Sequence, residues 1–174
     1  PAFRPTNNFW GKENFWAPEV HKFNEKFYMF ATFIAEKRYR GTQILIADEV
    51  FGPYIPLTEE PVTPTDWQCL DGTLHVDEDG NPWIVFCHEW VQIHNGSVCA
   101  MRLTSNLKEA VGQPVFLFNA SEAAWVKESE WPEKGSKFRF PTYVTDGPFL
   151  HRLKNGLLIM LWSSIGAKGY AMGV

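Results

Sequence analysis

The chain has 174 residues, a formal net charge of -4 and a pI near 5.7, and 16% of its residues are aromatic. That length suits one domain, whose core can bury about two-thirds of the surface exposed by the unfolded chain. The aromatic content excludes an acidic disordered tail, the 13 Gly and 12 Pro follow no collagen-like period, and the weak negative balance argues against a nucleic-acid binder. No apolar run approaches the roughly 18 residues of a membrane span. No signal peptide is visible, and a start at Pro1 rather than Met suggests a processed, trimmed or partial form. Cys69, Cys87 and Cys99 have no metal-site spacing and read as buried thiols.

In chain order, the periodicity is that of strands. Three aromatic-rich runs, 26–34, 83–87 and 157–162, each follow a turn signal: Asn24-Glu25, Asp79-Gly80-Asn81 and Lys154-Asn155-Gly156. A short apolar strand precedes each turn, at 19–23, 72–76 and 149–153. A third strand follows, at 42–47, 97–103 and 170–174. The first two units add a fourth, at 54–57 and 115–118. The blade-like units cover about 15–60, 68–120 and 143–174 of one domain spanning 1–174. Four-stranded sheets repeated in this way suggest an all-β propeller, while an antiparallel sandwich or meander would satisfy the same spacing. The chain holds about two and a half such units, fewer than a propeller needs. It is therefore either a different fold or a piece of a propeller. A piece would leave blade faces and a sheet edge uncovered, so self-association or pairing with further blades is expected. Two loops stand out: the Pro-rich lead at 62–68, and the stretch 120–142 with Trp125, Glu128, Glu130, Trp131 and Arg139.

Acidic residues recur beside Gly or Pro at the start of each unit: Glu19 after Ala17-Pro18, Asp71 before Gly72, and Asp146 before Gly147-Pro148. In a propeller the first strand of each blade lines the central channel, so these acids would converge. A protonated carboxyl beside an ionised one is the usual tool for glycosidic cleavage, and a third carboxylate can raise the acid's pKa. Each acid taken alone can also be a turn former, and Asp77 and Asp79 are read as such. His88-Glu89-Trp90, at the end of the second aromatic strand, could bind a substrate hydroxyl or donate a proton. The histidines show no HxH or HExxH spacing, and there is no GxSxG elbow or phosphate-cradling loop. No cofactor or metal is predicted, with a channel calcium left open.

These features resemble the family 43 glycoside hydrolases, five-bladed propeller enzymes that trim arabinose- and xylose-containing polysaccharides. The resemblance is carried, in order, by Phe15-Trp16-Ala17-Pro18-Glu19-Val20, Phe51-Gly52-Pro53-Tyr54, Leu70-Asp71-Gly72-Thr73 and Thr145-Asp146-Gly147-Pro148-Phe149. It implies single-displacement hydrolysis with inversion, with two carboxyls roughly 6.5–9.5 Å apart. It places Asp71 on the aspartate that tunes the acid. Asp146 falls where the family has the glutamic acid of a Glu-Gly-Pro motif. The acid is then Asp146, Glu89, or one of the loop acids Glu128 and Glu130. Trp16, Glu19, His88, Trp90, Trp125 and His151 are the expected substrate-binding residues. The resemblance puts the base on a first blade and a channel His on a fifth, neither seen here, and favours a secreted or periplasmic setting. A non-catalytic carbohydrate-binding β domain is the alternative.

Overall fold

The computed structural model describes residues 1–129 and 141–174. Glu130, Trp131 and Arg139 lie outside the described residues. The described residues are almost wholly β. Strands β1 (Glu13–Phe23), β2 (Lys26–Ala35), β3 (Arg38–Ala47) and β4 (Ile55–Pro56) form one antiparallel sheet in sequence order. Strands β5 (Cys69–Val76), β6 (Pro82–His88), β7 (Ser97–Leu103) and β8 (Ala110–Asn119) form a second. Strands β9 (Asp146–Arg152), β10 (Leu158–Gly166) and β11 (Gly169–Gly173) form a third. A short helix α1 (Trp90–Ile93) links β6 to β7. No helix among the described residues is long and apolar enough to cross a membrane.

The alternation of side chains along β6 explains how the sheets stack. Ile84 and Phe86 join Tyr28, Phe30 and Ile44 of the first sheet in one core. Val85 and Cys87 point the other way and pack with Val98, Leu150 and Met160 toward the third sheet. Strands β5–β7 of the second sheet are thus buried on both faces, and its edge strand β8 is largely exposed. The outer face of the first is covered by Phe9 and Trp10 from the N-terminal segment. Successive antiparallel sheets packed face to face are the blades of a β-propeller, here two of four strands and one of three. All three cysteines are free and buried, and burial pushes their thiols up. Asp77 is a turn former: its carboxylate accepts from the Asp79 and Asn81 amides and from the Trp83 indole N–H, at 2.8–3.0 Å.

The first strand of each sheet is longer than the sequence suggests, and the reason recurs. Each is bulged: between Trp16 and Glu19, between Leu70 and Thr73, and between Asp146 and Phe149. The expected starts at 19, 72 and 149 fall on or just before the end of these bulges. Pro18 and Pro148 sit inside two of them, where a ladder N–H is not required. One residue in each bulge takes positive φ: Ala17 (40°), Asp71 (53°) and Gly147 (50°). The bulges are therefore equivalent, but the acids are stepped. Glu19 lies two residues after this point, Asp71 lies on it, and Asp146 one residue before.

Candidate active site

Asp71 is the hub. Its amide donates to Thr32 Oγ1 (2.9 Å) and the Gly72 amide to Thr42 Oγ1 (3.1 Å), so two buried threonines of the first sheet hold the β5 bulge. This fixes a non-glycine residue at positive φ, a conformation that persists only where the surroundings impose it. The Asp71 carboxylate accepts from the Gly147 amide (3.0 Å) at the start of β9. Asp146 accepts from the Tyr170 hydroxyl of β11 (2.8 Å).

Glu89 follows β6 and precedes α1. Its carboxylate makes no capping bond to the helix. It is buried, 5% exposed, and forms an ion pair with Arg40 of β3. The Arg40 guanidinium lies over the Trp16 ring, 4.7 Å from its centroid. It also donates through Nε and Nη2 to Asn14 Oδ1, both at 3.3 Å.

Three acids and one cation thus share a partly desolvated site. Burial pushes Asp71 up to about 6, helped by the Asp146 charge and opposed by the Gly147 amide and Arg40. Burial pushes Glu89 up to about 7, against the pull of Arg40 and with the repulsion of Asp146 and Asp71. Asp146 is also raised by burial, with Tyr170 and Arg40 opposing. Neighbouring carboxylates cannot all ionise cheaply, so burial and mutual repulsion favour keeping a proton within the cluster, against the pull of Arg40. A protonated carboxyl beside ionised ones equips the site for general acid catalysis.

The structure brings together Asp71, Asp146, Glu89 and Trp16, the last 45% exposed through its contact with Arg40. Glu19 sits at the edge of this group. It accepts from Thr73 Oγ1 (2.8 Å), contacts His21 Nε2 at 2.5 Å, and adds weakly to the repulsion on Asp71. The other expected binding residues are placed differently. The His88 ring stacks on Trp67 (4.1 Å between centroids) and bonds Gln92 Oε1 (2.9 Å), and burial lowers its pKa. Trp90 opens α1 and is half-buried. Trp125 packs on Trp162 (4.9 Å between centroids) and against Gly173. His151 is exposed, five residues along β9 from Asp146. Glu128 is exposed and lines a cleft with Tyr170. Arg40, Asn14 and Tyr170 went unmarked in the sequence. No motif surrounds them, and only the stacking of the sheets delivers them to the acids.

Two clefts open beside side chains that bond the acids, one at Arg40 and one at Tyr170. One, of about 780 Å³, is lined by Tyr39, Arg40, Gly41, Asp66 and Gln68, between the β2–β3 hairpin and the 61–68 loop. The other, of about 490 Å³, is lined by Lys127, Glu128, Ser129 and Tyr170. Among the described residues no group of His, Cys, Asp and Glu side chains is arranged to hold a metal ion.

The family description "Glycosyl hydrolases family 43" matches residues 1–174. The chain is similar to an endo-arabinase structure from Bacteroides thetaiotaomicron VPI-5482, at 43% identity and a TM-score of 0.91, over 99% of this chain and 59% of that one. It shares its fold with a thermostable family-43 glycoside hydrolase (22% identity, TM-score 0.77, 99% of this chain and 54% of that one). It also shares its fold with an endo-1,4-beta-xylanase from Bacteroides thetaiotaomicron VPI-5482 (21% identity, TM-score 0.68, 99% and 52%). The chain therefore spans between half and three-fifths of these solved structures. A comparison with curated proteins gives no match. With the family match running from the first residue to the last, and an arabinase sharing both the fold and two-fifths of the residues, the chain belongs to glycosyl hydrolase family 43.

Proposed function

We propose that this chain carries the proton-donating half of the active site of a glycoside hydrolase that cleaves arabinoside or xyloside linkages in plant polysaccharides. The observation that carries the reading is the burial of Glu89 among two further carboxylates, with its pKa pushed up to about 7. A carboxyl poised there keeps a protonated fraction near neutrality and can release its proton to the leaving oxygen. In this reading Glu89 is the general acid. Asp71 and Asp146 are the negative neighbours that keep it protonated, and Asp71 also ties the second sheet to the third. The family resemblance adds single displacement with inversion. It also implies a water-activating base ahead of the Trp16 region, so none of the three acids is given that role.

Asp146 as the acid is the second reading. It is favoured by the position of Thr145-Asp146-Gly147-Pro148, where the family has Glu-Gly-Pro, and by its raised pKa. Against it, Asp is one methylene shorter, and the Tyr170 hydroxyl stabilises its ionised form.

Calorimetric titration with arabino- and xylo-oligosaccharides, run beside a hydrolysis assay on the protein carrying this chain, tests the proposal. Turnover of either sugar class with inverted product configuration is expected. Binding without turnover would instead support a carbohydrate-binding domain.

A further inference from the structure

Arg40 is used on every side. One end of its guanidinium pairs with Glu89, the other donates to Asn14, and its face lies on Trp16. Glu89 is buried and Arg40 largely so, their side chains 7% and 14% exposed. A planar fork held at three points has little rotational freedom left to lose, which a lysine could not match. The two residues are also joined through their backbones. The Arg40 amide donates to Gln68 Oε1 (2.8 Å), and the Gln68 carbonyl accepts from the Glu89 amide (2.8 Å). Gln68 therefore sets the spacing between the strands whatever side chain stands at position 40.

We propose that Arg40 is a positioning residue for Glu89, clamped by Trp16 and Asn14 so that its guanidinium fixes the Glu89 carboxyl in the acid cluster and governs the release of its proton. The inference rests on the reading of Glu89 as the proton donor. It also gives Trp16 a task beyond contact with sugar, because the ring supports the guanidinium.

The charges that act on Glu89 come from three strands: Arg40 of β3, Asp71 of β5 and Asp146 of β9. The two anions favour the protonated form, and Arg40 is the cation that opposes them. Without Arg40 the proton is held longer.

The test uses Arg40→Gln and Arg40→Lys in the protein carrying this chain, with thermal melts to confirm folding. Carbon-13 NMR follows the Glu89 carboxyl, assigned by its loss in Glu89→Gln. In Arg40→Gln the Glu89 titration is expected to move up by about one to three pH units, the usual effect of losing a close opposite charge. Arg40→Lys keeps the charge but loses the clamp, and should move it less. The basic limb of kcat/KM should follow by the same amount in each variant. A Glu89 titration unchanged in Arg40→Gln overturns the inference. A titration that moves while the basic limb stays in place overturns the assignment of Glu89 as donor instead.

Discussion

The Gly147 backbone N–H donates a 3.0 Å hydrogen bond to Oδ2 of Asp71. A residue of one blade thereby holds the carboxylate of the blade before it, and the bond joins the two bulges that carry Asp71 and Asp146.

That arrangement makes stability depend on pH. The folded chain raises Asp71 from 3.8 to about 6, so it binds this proton more tightly than the unfolded chain does. The contribution is fully present below about pH 4 and is lost as pH rises through about 6. Two pKa units correspond to on the order of 3 kcal/mol. Asp71→Asn keeps an acceptor for Gly147 and removes the charge. Denaturant unfolding from pH 4 to 8 should show wild-type stability falling across this range and a flatter curve for the variant.

Tyr170→Phe removes the hydroxyl that steadies ionised Asp146. The Asp146 pKa should rise, moving the acidic limb of kcat/KM to higher pH. A hydrogen bond to a charged group suggests a loss of about tenfold near pH 5. Rate profiles of the two proteins between pH 4 and 8 give the comparison, and superimposable limbs would remove Tyr170 from the site.

Gly72 lies between blades as well as beside Asp71. A Cβ there would meet Ile84 Cδ1 at 2.7 Å and Thr42 Cγ2 at 2.8 Å. Thr42 is β-branched and buried, so it yields poorly. Gly72→Ala should cost about 1–3 kcal/mol of stability by overpacking and should lower activity by shifting Asp71. Unfolding and activity assays on one preparation check both effects.

The outer strand of the third sheet, β11, and the residue after it expose Tyr170 (60%), Met172 (67%) and Val174 (76%). A bare, partly apolar strand edge invites pairing. The isolated 174-residue chain is expected to self-associate in light scattering as concentration rises, and a monomer at every concentration would count against this.

Much of the fold was legible because the hairpin signals are local. Asp79-Gly80 and Asn155-Gly156, followed by alternating aromatic runs, placed β6 and β10 to within a few residues at their N-terminal ends. The starts of β1, β5 and β9 were missed because bulges admit the prolines and acids that ordinarily end a strand. At the site, Asp71, Asp146 and Glu89 stood out by their neighbours in sequence. Arg40 did not, because its partners Asn14, Trp16 and Glu89 lie 24–49 residues away and meet it only after the blades stack. The packing of His88 on Trp67 and of Trp125 on Trp162 was not legible for the same reason, since these contacts form only in the folded chain.

The most direct test of the account is the leaving-group dependence of Glu89→Gln beside Asp146→Asn. Loss of a general acid costs about 10²- to 10⁴-fold when the leaving group needs a proton and little when it does not. The account predicts that Glu89→Gln loses that factor on natural oligosaccharides, keeps most of its rate on aryl glycosides with acidic phenols, and loses the basic limb of its pH profile. Asp146→Asn should lose activity alike on both substrate classes and retain a basic limb, moved to lower pH because the Asp146 charge that raises Glu89 is gone. The reverse pattern, with Asp146→Asn alone selectively rescued by the acidic leaving group, would contradict it.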